Sequence, residues 1–205
     1  MIAVVDYGIG NLRSAEKALL KVGGDARLVA NPQDILGAQG VVLPGVGAFG
    51  GCALALEASG LRDAVLKVIE AGTPFLGICV GYQLLYENSE EDSGIEGLGI
   101  LSGSVKKLAG EVKLPQMQWN QLRRVPGRES AMLDDIAALP WAYFVHSYAP
   151  DPVPHLDNVV AVCDYGEEVA AAIEKDNVWA TQFHPEKSGE FGLAVLARFV
   201  ERCQA

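Results

Sequence analysis

The sequence predicts an α/β fold in three layers: a mostly parallel central sheet, helices on both faces, and an antiparallel extension supplied by the second half of the chain. Two observations predict it. Over roughly the first eighty residues, short apolar runs alternate with amphipathic segments of helical period, which is the rhythm of βαβ units. Later in the chain, apolar and aromatic extended runs follow one another with only turn residues between them, as in hairpins.

Taken in order, "IAVVDY" reads as the first strand, and "GNLRSAEKALLKVG" carries Leu12, Ala15, Leu19 and Val22 near helical spacing. Gly23 and Gly24 stop that helix. "ARLVA" and "AQGVVLPG" are the second and third strands, "GGCALALEASGLRDAVLKVIEAG" is helical, and "TPFLGI" is the fourth strand. "YENSEEDSG" reads as a polar, acidic loop. Beyond it, "GILSGSVKKL", "LPQMQWNQLRRV", "WAYFVHSYAP", "VVAVCDYG" and "VAAAIEKDNVWATQFHPE" are extended, and "EFGLAVLARFVERC" closes as a helix. No repeat, linker or low-complexity stretch interrupts them, so residues 1–205 are expected to form a single domain.

Composition narrows the function. Half of the residues are apolar and a fifth are charged, as in ordinary globular chains. No apolar run reaches the roughly 18–20 residues of a membrane span, and "MIAVVDYG" lacks the charged start of an export signal. A cytoplasmic protein is expected. The net charge of −10 argues against nucleic-acid binding, which depends on cations meeting phosphates. Cys52, Cys79, Cys163 and Cys203 show no metal-ligand spacing and no disulfide framework. Phosphate-loop and dinucleotide fingerprints are missing as well. Neither metal nor cofactor is expected, and a free thiol is available as a nucleophile.

One thiol stands apart. "PFLGICVGYQLL" runs from an apolar strand into a helix, with Cys79 at the bend between Gly77 and Gly81, the cysteine form of a nucleophile elbow. Such a bend exposes the side chain at the carboxyl edge of the sheet, and the start of the following helix favours a thiolate. The Val80 N–H is expected to face an oxyanion formed there. The bland alternative is a buried structural cysteine, and that is the reading for Cys52, Cys163 and Cys203. A thiol needs a base. His155 sits in a Pro-rich loop, whereas His184 ends an apolar strand in "QFHPE". Glu186, two residues on, lies on the same side of an extended backbone and would orient the imidazole. A surface His-x-Glu pair is the competing reading. The loop "LPGVGAFGG" follows a strand end, and Val46 or Gly47 would supply a second oxyanion donor.

"GICVGYQ" followed by "HPE" resembles the class I (triad-type) glutamine amidotransferases. The resemblance implies Cys79 as nucleophile, His184 as proton carrier, Glu186 as its orienter, and Gln83, one helical turn beyond the thiol, as a substrate contact. "DYGIGNLRS", "LPGVGAFG", "MQWNQL", "YFVHSY" and "QFHPEKSG" are similar, within that family, to the glutaminase subunits of imidazole glycerol phosphate synthases of histidine biosynthesis. That likeness implies hydrolysis of L-glutamine to glutamate and ammonia, with His146, Ser147 and Tyr148 as glutamine contacts. It also implies a heterodimer with a cyclase subunit, a (β/α)₈ barrel that consumes the ammonia. Met117, Trp119, Asn120, Tyr143 and Lys187 would face that partner. Gln118, Val80 and Tyr82 stand where the family usually carries Gly, Leu and Met; none of these departures removes a reacting group. The rival readings are another cysteine hydrolase on a similar sheet and a non-catalytic regulatory subunit.

Overall fold

The computed structural model describes residues 1–134, 140–151 and 153–205, without the side chains of residues 153–155. The His155 side chain therefore lies outside the described part. Elements appear in the order β1 (Ile2–Val5), α1 (Leu12–Lys21), β2 (Ala26–Val29), α2 (Pro32–Leu36), β3 (Gly40–Gly45), α3 (Phe49–Ala58), α4 (Arg62–Glu70) and β4 (Phe75–Cys79). Then follow α5 (Val80–Gln83), β5 (Tyr86–Ser89), β6 (Leu101–Lys107), β7 (Gln116–Gln121), β8 (Arg123–Arg124), β9 (Trp141–His146) and β10 (Tyr148–Pro150). The last are β11 (Val159–Tyr165), β12 (Glu167–Lys175), β13 (Val178–Thr181) and α6 (Gly189–Gln204).

The central sheet has the order β2-β1-β3-β4-β13-β12-β11-β8. Its first five strands are parallel and the last three run antiparallel to their neighbours. Strands β1, β3, β4 and β13 are buried along their whole length, as expected of a sheet covered on both faces. Chain direction decides which helix covers which face. From β1 the chain steps outward to β2, then returns across β1 to β3. Right-handed crossovers therefore put α1 and α2 on opposite faces. Accordingly α1 packs with α6, and α2 with α4. α1 buries Ala15, Ala18 and Leu19; α6 buries Val195, Leu196, Phe199 and Val200.

Three local outcomes differ from the reading of the sequence. The helical stretch after β3 is two helices, broken at Gly60, whose φ is 70°. The acidic segment that begins at Tyr86 is not wholly loop, because β6 pairs with Tyr86–Ser89 and recruits it as β5. The same recruitment cuts the helix after Cys79 to the single turn α5. Strands β5, β6 and β10 form one small sheet and β7 and β9 another, so among the described residues the antiparallel extension of the central sheet consists of β8, β11 and β12.

At the end of β4 the chain turns sharply and α5 is pressed against β3 and β4. A Cβ on Gly81 would lie 1.8 Å from the Leu43 carbonyl oxygen, one on Gly77 2.8 Å from the Gly81 oxygen, and one on Gly45 2.8 Å from the Gly81 nitrogen. These contacts are with backbone, which cannot step aside. The Gly81→Ala protein is expected to lose about 3 kcal/mol of stability or more, measured as a lower denaturation midpoint. Gly51→Ala, in α3 with no atom within 4 Å of the new methyl, is expected to be neutral or up to about 1 kcal/mol more stable.

Candidate active site

Cys79 ends β4 with φ 54° and ψ −110°, a left-handed conformation that non-glycine residues seldom adopt. The elbow read from the sequence is therefore present, with its strain held by the surrounding glycine contacts. Its thiol is not exposed on the bend: Cys79 is 3% accessible and lies in the wall of a cleft of about 410 Å³. The one-turn α5 is too short to supply a helix dipole, so the charge partner of the sulfur has to come from elsewhere in the fold.

That partner comes from the neighbouring strand. β13 runs parallel to β4, with Thr181 opposite Ile78, so the segment after Thr181 leaves the sheet at the same edge as Cys79. Pro185 starts a short 3-10 turn, Pro185–Lys187, that swings Glu186 back beneath His184. The His184 Nδ1–H donates to Glu186 Oε1 over 2.8 Å, and both side chains are almost fully buried. The ring is fixed further through its backbone. The His184 N–H donates to the Tyr143 carbonyl, and its own carbonyl accepts the Ser188 hydroxyl, which in turn accepts the Tyr143 N–H.

Nε2 of His184 is buried and makes no hydrogen bond of regular geometry, and it lines the same cleft as the Cys79 sulfur. Burial opposes charging of the imidazole, but the sulfur and the Glu186 carboxylate outweigh it and push His184 up to about 10. The other three thiols behave differently. Burial raises Cys52, and takes Cys163 and Cys203 to about 12, so all three stay protonated at neutral pH.

Around the sulfur the cleft is lined by Val46, Gly47, Val80, Gln83, His146, Ser147, Tyr148, His184 and Lys187, all singled out from the sequence, and by Gly10, Asn11, Glu91 and Val145, which were not. The placement follows from topology. β1 and β3 diverge in connection at the sheet's switch point, where α/β folds open a crevice. Gly10 and Asn11 follow β1, and Val46 and Gly47 follow β3, whose Gly45 is paired with Cys79. Within "PGVG" the two glycines differ in purpose. Gly47 has φ 87° and open space, so it needs glycine for its backbone; Gly45 lies within β3 and needs it for room. The Cys52 thiol donates to the Val46 carbonyl, and the Tyr7 hydroxyl to that of Pro44.

Gln83 is 3% accessible and donates to the Tyr148 carbonyl and to Gln182 Oε1. His146 Nδ1 also meets the Tyr148 carbonyl, and burial lowers its pKa to about 4. At neutral pH it is an uncharged ring donating from Nδ1. Glu91 brings a carboxylate to the cleft wall, one oxygen accepting the Phe49 N–H, while Asp92 accepts that of Gly50. The sequence carried little signal for this, because an acidic loop becomes a helix cap only after folding brings α3 to it. Gln182 was missed as well; a polar residue inside the apolar strand end "WATQF" was the available hint.

Of the residues expected to meet a partner, Met117, Trp119, Asn120 and Tyr143 lie on the β7–β9 ribbon and Lys187 in the turn after β13. Met117 and Trp119 are 61% and 48% accessible, which removes them from the core. Trp119 stands opposite Tyr143 and stacks edge-on against its ring, while the Lys187 ammonium lies 5.9 Å from that ring's centre. Trp141, on the same face by register, is 53% accessible. Asn120 is on the other face, donating to the Asp164 carbonyl.

Among the described residues no group of His, Cys, Asp and Glu is placed to hold a metal ion, and no helix is long and apolar enough to cross a membrane.

Residues 3–203 match the family described as "Glutamine amidotransferase class-I". The chain is 50% identical, over all of both chains, to "Imidazole glycerol phosphate synthase subunit HisH" of Methanothermobacter thermautotrophicus, and 47% identical to the Geobacter sulfurreducens protein of the same name, covering 98% of each. It is 42% identical to Arabidopsis thaliana "Imidazole glycerol phosphate synthase hisHF, chloroplastic", matching 98% of this chain but 34% of that one. Among solved structures it superposes on "Crystal structure of glutamine amidotransferase" with a TM-score of 0.75 at 19% identity, covering 100% of this chain and 99% of that one. The chain belongs to the class I glutamine amidotransferase family.

Proposed function

We propose that the chain is the glutaminase subunit of an imidazole glycerol phosphate synthase. It would hydrolyse L-glutamine and deliver ammonia to a cyclase subunit in histidine biosynthesis, in the cytoplasm, as one catalytic domain over residues 1–205. The observation that carries the reading is the convergence of Cys79 and the buried His184–Glu186 pair at one cleft; the family description supports glutamine as substrate, and the naming of the HisH relatives supports the synthase.

In this reading the Cys79 thiolate attacks the glutamine side-chain amide carbon. Developing negative charge on the oxygen is met by the N–H groups of Val80 and the Val46–Gly47 loop. The His184 imidazolium gives its proton to the departing nitrogen, releasing ammonia and leaving a thioester. Neutral His184 then takes a proton from water, which attacks the thioester, and loss of glutamate restores the thiolate–imidazolium pair. Glu186 holds the ring with Nε2 toward the reaction and balances its charge. Gln83, His146, Ser147 and Tyr148 line the part of the cleft that would hold the amino-acid end of the substrate, and Glu91 there offers a carboxylate to its ammonium.

Ammonia must leave without passing into bulk water, so the acceptor enzyme has to cover the cleft. The exposed aromatic face of Met117, Trp119, Trp141 and Tyr143, bordered by Lys187, suits a partner, since large aromatic side chains anchor interfaces. A (β/α)₈ cyclase is the partner we infer. That this chain corresponds to about a third of the Arabidopsis protein supports a glutaminase working beside a second unit. A peptidase reading lacks support, because the cleft offers a carboxylate and inward polar groups suited to a single amino acid.

Release of glutamate from glutamine is expected from the wild-type chain with its cyclase and acceptor, and from Cys79→Ala no more than background; equal release by both would end the hydrolase reading. The His184 pKa is raised in the folded protein, so the stabilisation and the imidazolium are fully present below the ordinary value of about 6.5 and lost as pH rises through about 10. In Glu186→Gln the alkaline limb of kcat/KM is expected to move to lower pH, with kcat down about a hundredfold or more. Trp119→Ala is expected to weaken cyclase binding by roughly tenfold or more in titration calorimetry, with the thermal midpoint of the isolated chain unchanged.

A further inference from the structure

Behind the Cys79 sulfur lies a buried polar chain whose inner member, Gln182, has no part in the proposed reaction. Gln182 is 0% accessible and is not part of the cleft wall. Its Nε2 donates to the Cys79 sulfur over 3.7 Å, and its Oε1 accepts the Gln83 Nε2–H over 3.1 Å. The second N–H of that Gln83 amide goes to the Tyr148 carbonyl at 2.8 Å. The direction of the whole chain follows from its far end. A backbone carbonyl can only accept, so Gln83 must turn its NH₂ toward Tyr148. Its remaining N–H then requires an oxygen from Gln182. With its oxygen engaged there, Gln182 has only its NH₂ left to face the sulfur.

We propose that Gln182 is a further catalytic residue, a fixed N–H donor to the nucleophilic sulfur, and that Gln83 is the positioning residue that keeps its amide in the donating orientation. The physical need is plain. A thiolate that is almost wholly removed from water requires donors to replace its hydration, and His184 approaches from only one side. A donor whose direction is set by a backbone anchor requires no reorganisation when charge moves on and off the sulfur. Gln83 then serves two ends at once: it lines the cleft where the substrate would sit, and it determines which way the donor behind the nucleophile points.

The proposal rests on Cys79 being the nucleophile, and its test does not need glutamine. Full-length protein is treated at neutral pH with methyl methanethiosulfonate, a small uncharged thiol reagent, and modification is followed by mass spectrometry on the Cys79 peptide. Gln182→Met keeps chain length and removes the donor. It is expected to slow modification of Cys79 by roughly tenfold or more, the loss of one hydrogen bond to a charged group, and to lower kcat in parallel with KM changed less than about twofold. Gln83→Met removes the orienting bond together with its anchor on Tyr148 but leaves the Gln182 amide in place, and is expected to slow modification in the same direction by a smaller factor. An unfolded Gln182→Met would reveal itself by faster modification and a lost thermal transition, and Gln83→Met then decides the question. Wild-type reactivity in folded Gln182→Met would overturn the donor role, and wild-type reactivity in Gln83→Met would overturn the relay. If the wild type released no glutamate, the functional reading would fail while these rates still judged the buried chain.

Discussion

The whole site depends on one steric constraint, the near-contact of α5 with the ends of β3 and β4. Where Gly45, Gly77 and Gly81 stand, side-chain atoms would overlap main chain. With them absent, the turn of α5 lies close enough to hold Cys79 in its left-handed conformation. Strain of this kind, of order 1–3 kcal/mol per residue, persists only where the surroundings over-determine it. Here the surroundings are a fully buried parallel strand on either side of β4, which cannot yield without disrupting the core.

From that fixed point the remaining groups are placed by the sheet. Parallel pairing of β4 with β13 delivers His184 to the same edge, and parallel pairing of β3 with β4 delivers the Val46–Gly47 loop. Burial then sharpens the chemistry. In water, an imidazole, a carboxylate and a thiol would interact weakly; enclosed together, the charged neighbours prevail over desolvation at His184. The same enclosure acts in the opposite sense on His146, which has no carboxylate partner and stays neutral. Two histidines in one cleft thus take opposite roles because of a single difference in company.

The His184 ring is also tied to the outer surface. Tyr143 holds His184 through its main chain while its side chain joins Trp119 and Lys187 on the exposed face. A protein bound there would touch the residue that fixes the position of His184.

Much of this was legible in residues 1–80, where local periodicity and central-strand burial agree, and in "GICVG" and "HPE", where steric need and chemistry restrict the residue types. The acidic run at Glu91 and Asp92 was not legible as a helix cap, nor Gln182 as a donor to sulfur, because each acquires its role from a partner distant in sequence. The length of α5 was decided by β6, which captured the residues that would have continued the helix. By itself, then, the sequence determined the layered α/β architecture and which thiol, imidazole and carboxylate are the candidates for the chemistry, since alternation, glycine placement and nucleophile chemistry are local properties. Only the tertiary structure decided that the thiol is enclosed, which histidine carries charge, and which way each buried amide points, because desolvation and hydrogen-bond direction exist only once distant segments meet.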